Sequence, residues 1–220
     1  MLLQRFAYSE FARPLFSGRV MMAWADPRAP MPRLIGDEVL AVEHVGMACA
    51  RRFGAGRAAA HAAMEGLGHV PRPVLQGEGA APLWPPGLTG SIAHSLRDTL
   101  AVVSDDPEIR ALGLKISGVQ ALEPALWPSL CTAQEMRWLA SLGPSQRGHF
   151  ARLLECLKLA SFKARFQIGL QGLGWQEIEL AVDLGHNRFS AQCPQDGGAH
   201  LGQGRFVLLS DCYIAGVEWR

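Results

Sequence analysis

The chain has 220 residues, 49% of them hydrophobic and 19% charged, with a net charge of +1. That balance excludes a disordered chain, allows a sizeable buried core, and gives no bulk charge to attract nucleic acid or a membrane, although a local basic site for phosphates is compatible with it. Five cysteines (Cys49, Cys131, Cys156, Cys193, Cys212) lie scattered without CxxC spacing, so neither a zinc site nor a disulfide framework is expected, and a reducing cytoplasm is the expected setting.

The N-terminal stretch MLLQRFAYSEFARPLF carries Arg5, Glu10 and Arg13 among its apolar residues, and so has no apolar core of signal-peptide length. No run approaches the roughly 20 apolar residues that span a bilayer. Residues 1–35 read as short strands broken at Pro14, Pro27, Pro30 and Pro32. From Asp37, a plausible cap, the spacing of Val39, Leu40, Val42, Val45 and Met47 predicts a helix. Gly54 and Gly56 are expected to interrupt it before a second helix over Arg57–Leu67 that ends at Gly68. Pro71–Gly90 is a Pro/Gly-rich loop, long enough to be functional or to wrap a core.

Leu100–Asp106 and Ala111–Ser117 then read as strands. Thr132 with Glu135 three residues later has the pattern of a capping box, so a helix is predicted over Thr132–Leu142. Phe150, Leu153, Leu154, Leu157, Ala160, Phe162 and Phe166 mark an amphipathic helix from Gly148 or His149 to Gln167. The last third reads as strands over Glu177–Val182, Arg188–Gln192 and Arg205–Trp219. A helix followed by strands in each part, joined near residue 107, predicts an α+β protein of two subdomains, 1–108 and 109–220.

Five segments carry the chemistry: FGAGRAAAHAAMEGLG (Phe53–Gly68), PLWPPGLT (Pro82–Thr89), GSIAHS (Gly90–Ser95), GLKIS (Gly113–Ser117) and KLASFK (Lys158–Lys163). In this order they resemble the phosphopantetheinyl transferases of the siderophore- and surfactin-synthetase type. The resemblance runs from about Val39 to Lys163. It implies two similar α+β subdomains in a pseudo-twofold arrangement with a coenzyme A cleft between them. It also implies transfer of a phosphopantetheine arm to an acyl or peptidyl carrier protein of a nonribosomal peptide or polyketide pathway. A cytoplasmic monomer is expected, with no nucleic acid or membrane partner.

The resemblance also implies residue roles. Arg57 would meet the nucleotide end of coenzyme A, His94 the pyrophosphate region, and Lys158 the phosphates, while Lys163 would help hold the helix and the site. Gly90 and Ser91 allow close approach to a phosphate, or simply turn a loop into a strand. Ser95 serves as a local backbone partner. Each basic residue also has a plainer reading: Arg57 as a solvated residue at a helix start, His94 as a structural hydrogen bonder, and Lys158 and Lys163 as snorkelling lysines. Lys158 and Lys163 are five residues apart, about 500° of helical rotation, and so point in different directions. Arg51, Arg52 and Arg72 are left to meet the 3′-phosphate or adenine, or to lie on the surface.

One half of the family pattern is rewritten. Such enzymes carry two acids in a GIDIE-like strand and a Glu in a KEAxxK-like helix, which hold magnesium. Here Lys115 and Ser117 stand at the strand positions and Leu159 at the helix position. An ammonium there repels a cation and suits a phosphate. Metal-dependent transfer is therefore not expected, nor is magnesium. Lys115, if desolvated, is a candidate base or nucleophile, with His94 the alternative acid/base and Cys156 a remote third. Glu155, one turn before Leu159, is a candidate to reach the site. The readings left standing are metal-free chemistry on a carrier-bound thioester, a non-catalytic scaffold that binds carrier protein, and a surviving transferase with an atypical metal site.

Overall fold

The computed structural model of the chain describes residues 15–169, 174–193 and 199–220. The predicted strands and turns of residues 1–14 lie outside them. The architecture is α+β, with ten strands among the described residues, β1 (Val20–Ala25), β2 (Leu75–Gln76), β3 (Pro82–Leu83), β4 (Thr89–His94), β5 (Thr99–Ser104), β6 (Ala111–Gly118), β7 (Glu179–Asp183), β8 (Arg188–Cys193), β9 (Ala199–Leu208) and β10 (Cys212–Trp219). Three main helices are α1 (Met47–Gly66), α2 (Ala133–Ser141) and α3 (Pro144–Gln167). A three-stranded sheet has the order β1-β5-β4 and a five-stranded sheet the order β6-β10-β9-β8-β7. All their pairings are antiparallel.

Strand alternation divides the apolar residues between faces. On β5, Ala101 and Val103 pack with Ala59, Ala60, Ala63 and Met64 of α1. Leu100 and Val102 face the other way and share a core with Leu112, Leu114 and Ile116 of β6 and Ile214 of β10. The opposite face of the five-stranded sheet takes Leu153, Leu154, Leu157, Ala160 and Ala164 of α3. Each sheet thus has a long helix on its outer side and a common core between.

Helix α1 runs unbroken through Gly54 and Gly56, against the expected interruption. Its alanines supply helix propensity enough to carry two glycines. Both glycines are sites of close approach: a Cβ on Gly54 would lie 2.9 Å from Met31 Sδ, and one on Gly56 would lie 3.1 Å from His94 Cε1. The helix ends at Gly66, one residue short of the expected Leu67, with Leu67 as its C-cap and Gly68, at a φ of +91°, turning the chain just beyond. Residues Gly36–Val42 form a 3-10 helix instead of the start of α1, so Val39, Leu40, Val45 and Met47 are exposed and do not form a buried stripe. The Thr132–Glu135 capping box is present. Helix α3 begins at Pro144, earlier than its apolar pattern suggests, because a proline at the first helical position fits without cost. No helix among the described residues is long and apolar enough to cross a membrane.

Candidate functional site

The two sheets meet where β4 lies beside β6. Leu114 N donates to Ser91 Oγ at 3.1 Å, linking the two strands through a buried hydroxyl. Helix α3 pins both. Lys163 Nζ donates to the Ile92 carbonyl of β4. Gln167 Nε2 donates to Leu112 O at 2.6 Å, and its Oε1 accepts from Thr89 Oγ1 at 3.0 Å. The helix comes this close because Gly113 has no side chain: a Cβ there would fall on the Ala160 carbonyl oxygen.

His94 closes β4 at this seam. Its Nδ1 sits 3.0 Å from Thr99 Oγ1, and its Cε1–Nε2 edge lies against Gly56 of α1. Burial pushes its pKa down to about 3, and the like charges of Arg52, Lys163, Arg57 and Lys115 push the same way. Lys163 is lowered to about 8, by burial first and then by Lys115 and Arg52. The charges that weigh most on His94 are therefore four cations, brought from α1, β6 and α3. Arg52 lies one turn before Gly56 on the same helical face. Lys115 and Ser117 share the face of β6 that carries Gly113, under α3. Cys156 of α3 donates weakly to Lys115 O at 3.7 Å. Burial pushes its thiol up to about 12, against the smaller lowering effects of Ser117 and Lys115. A thiol so placed is not a nucleophile at neutral pH.

Several sequence-predicted residues lie elsewhere or are engaged otherwise. Arg57 does not open a helix; it sits in the interior of α1, where no backbone N–H is left to bind an anion. Its Nε donates to Val74 O at 2.8 Å and its Nη2 to Leu75 O at 3.1 Å, and the guanidinium stacks over Phe53 at 3.8 Å. It clasps the Pro/Gly-rich loop, and burial lowers its pKa to about 10. Lys158 is fully buried in the C-terminal core. Its Nζ pairs with Glu135 Oε2 at 2.6 Å and donates to Leu130 O at 2.8 Å and Trp175 O at 2.9 Å. These three contacts match the three donors of an ammonium, so none is directed to a phosphate. Gly90 accommodates Trp84, whose indole would lie 2.7 Å from a Cβ there. Ser91 Oγ serves the link between strands. Ser95 Oγ accepts from Arg97 N and Asp98 N in the β4–β5 turn, the local role expected of it. Glu155 is held by Arg152 at 2.6 Å and is not drawn into the cation group. Arg72 donates to Pro86 O at 3.2 Å.

The sequence alone left Arg52 undecided among three arginines and gave no role to Gln167 or Thr99. A one-turn spacing from Gly56 was the signal for Arg52, hidden by the expected break in the helix. A family model described as the 4′-phosphopantetheinyl transferase N-terminal domain matches residues 39–104. The 4′-phosphopantetheinyl transferase Svp of Streptomyces mobaraensis is 32% identical over 183 residues, which cover 80% of this chain and 73% of Svp. The chain belongs to the 4′-phosphopantetheinyl transferase family. The transferase Npt of Nocardia iowensis is 29% identical over 156 residues, 71% of this chain, and PptT of Mycobacterium tuberculosis is 28% identical over 127 residues, 58% of this chain. The matches span 65% of Npt and 56% of PptT.

Within this transferase family the seam carries an altered donor set. The positions that resemble the family's three acids offer an ammonium (Lys115), a hydroxyl (Ser117) and an alkyl chain (Leu159). Magnesium takes hard oxygen ligands, carboxylates and phosphates above all. Two of these three groups cannot coordinate it, and one repels it, so the residues present do not fit the ion. Among the described residues, no group of three or more His, Cys, Asp and Glu side chains is arranged to hold a metal.

Proposed function

We propose that this family member works in a carrier-protein-dependent pathway of the nonribosomal peptide or polyketide kind. In that role it recognises coenzyme A, or the phosphopantetheine arm of a carrier protein, at the seam between two subdomains, 1–108 and 109–220. Magnesium-dependent transfer of the arm is not its activity. The observation that carries this reading is Lys115, a cation standing at a position that resembles a family acid, with Ser117 and Leu159 in place of the other two. The diphosphate of coenzyme A, or the single phosphate of a carrier-bound arm, finds donors from Arg52, Lys115 and Lys163, and His94 supports them as a neutral hydrogen-bonding group.

Binding is favoured over acid–base chemistry by His94 itself. A base of pKa about 3 takes a proton from a hydroxyl or thiol far too weakly at neutral pH. Lys163, near 8, is the better-poised proton carrier of the seam, and metal-free chemistry on a carrier-bound thioester would run through it or Lys115. The test is incubation with coenzyme A, magnesium and several apo carrier proteins, followed by mass spectrometry of the carrier. No gain of the phosphopantetheine mass is expected, while coenzyme A raises the melting temperature in the presence of EDTA. Robust modification of any carrier overturns the proposal.

A further inference from the structure

We infer that Lys115, Lys163 and Arg52 together supply, as fixed side-chain charge, the positive charge a divalent cation would bring, so that the seam binds a diphosphate without metal. This rests on the reading that the seam recognises a diphosphate-bearing ligand.

Three separate elements carry the charges. Lys115 stands on β6, which Leu114 N and Ser91 Oγ lock beside β4. Lys163 comes from α3 and is anchored at Ile92, two residues before His94. Arg52 comes from α1, whose Gly56 abuts His94. Three chain segments distant in sequence thus bring like charges around His94, where all three act on the ring in the same direction and an anion would be favoured. The same repulsion acts between the members: Lys115 and Arg52 are the two cations that weigh on Lys163. Every donor in the set is an N–H group. Phosphate oxygens accept from such donors in short charge-assisted hydrogen bonds, and a metal ion finds no ligand among them. Lys115 decides the sign of the metal effect. At a carboxylate position, magnesium would join protein to phosphate. Here it competes with the protein for the phosphate oxygens.

Isothermal titration of the full chain with inorganic pyrophosphate tests this. Binding is expected in EDTA at neutral pH, weakening several-fold with excess magnesium and falling steeply with added salt. Lys115→Met, which keeps the length of the side chain and removes its charge, is expected to lose about tenfold or more in affinity, the effect of losing one charge-assisted hydrogen bond. Arg52→Ala alters an exposed residue of a stable helix and is expected to lose several-fold; it carries the test should Lys115→Met fail to fold, as judged by circular dichroism. Pyrophosphate binding that requires magnesium, or that is unchanged in both variants, overturns the inference. The two proposals fail separately. If pyrophosphate binds through Lys115 but coenzyme A does not bind, the inference stands and the coenzyme A reading falls. If coenzyme A binds with no dependence on Lys115 or Arg52, the reading stands and the inference falls.

Discussion

Lys158 carries a full charge into an apolar core, held there by Glu135 and two backbone carbonyls. Burial lowers its pKa and the Glu135 carboxylate opposes that shift. Glu135 in turn accepts from Thr132 N at 2.8 Å and Leu180 N at 3.2 Å, so one carboxylate caps α2, fixes β7 and neutralises α3. Removing one partner leaves an uncompensated buried charge. Lys158→Met or Glu135→Gln is therefore expected to cost about 3–5 kcal/mol in urea unfolding, and the double variant less than the sum of the two. Additive losses would show that the pair is not coupled. The capping half of this arrangement was legible, because Thr132 and Glu135 are three residues apart. The lysine half was not, since Leu130 and Trp175 reach Lys158 only through the tertiary fold. The same holds for Arg57, whose partners Val74 and Leu75 lie across a loop that local spacing does not place.

Among the elements, the contact of α3 with β6 sets the geometry of the seam. Gly113→Ala would put a methyl group on the Ala160 backbone carbonyl, with Ala164 N at 3.1 Å beyond it. No rotamer change relieves a clash with helix backbone, so α3 must move as a unit. A loss of about 1–3 kcal/mol or more is expected in urea unfolding, and Ala160→Gly should not rescue it because the obstructing atom is a main-chain oxygen. An unchanged unfolding midpoint would refute this account of the packing. The strands β5 and β6 and the ends of α1 and α2 were readable from short apolar runs, Gly68 and the capping box, because those signals are local. The continuity of α1 was not: glycine weakens a helix in isolation, and only the crowding by Met31 and His94 shows why two are used here.

At the scale of the whole molecule, the seam joins stability to ligand binding through Lys163. The groups acting on it are Lys115 from β6, Arg52 from α1 and Cys156 from its own helix, with His94 of β4 alongside. In the ligand-free protein its pKa is lowered to about 8 from the ordinary 10.5. Between these values the unfolded chain holds a proton that the folded chain has released, so Lys163 makes stability rise with pH across that window. A bound diphosphate reverses the local field, raises the pKa and draws the proton back. Binding is then accompanied by proton uptake at pH values above about 8, and affinity falls as pH rises through that region. Titration in two buffers of different ionisation enthalpy, from about pH 7 to about pH 9, measures the uptake. Lys163→Met is the reference, because the difference between the two proteins cancels the ligand's own titration. Wild type is expected to lose affinity more steeply than the variant over this range, and to take up more protons at the upper end. Parallel profiles would mean that Lys163 only fastens α3 to β4 and takes no part in holding the anion.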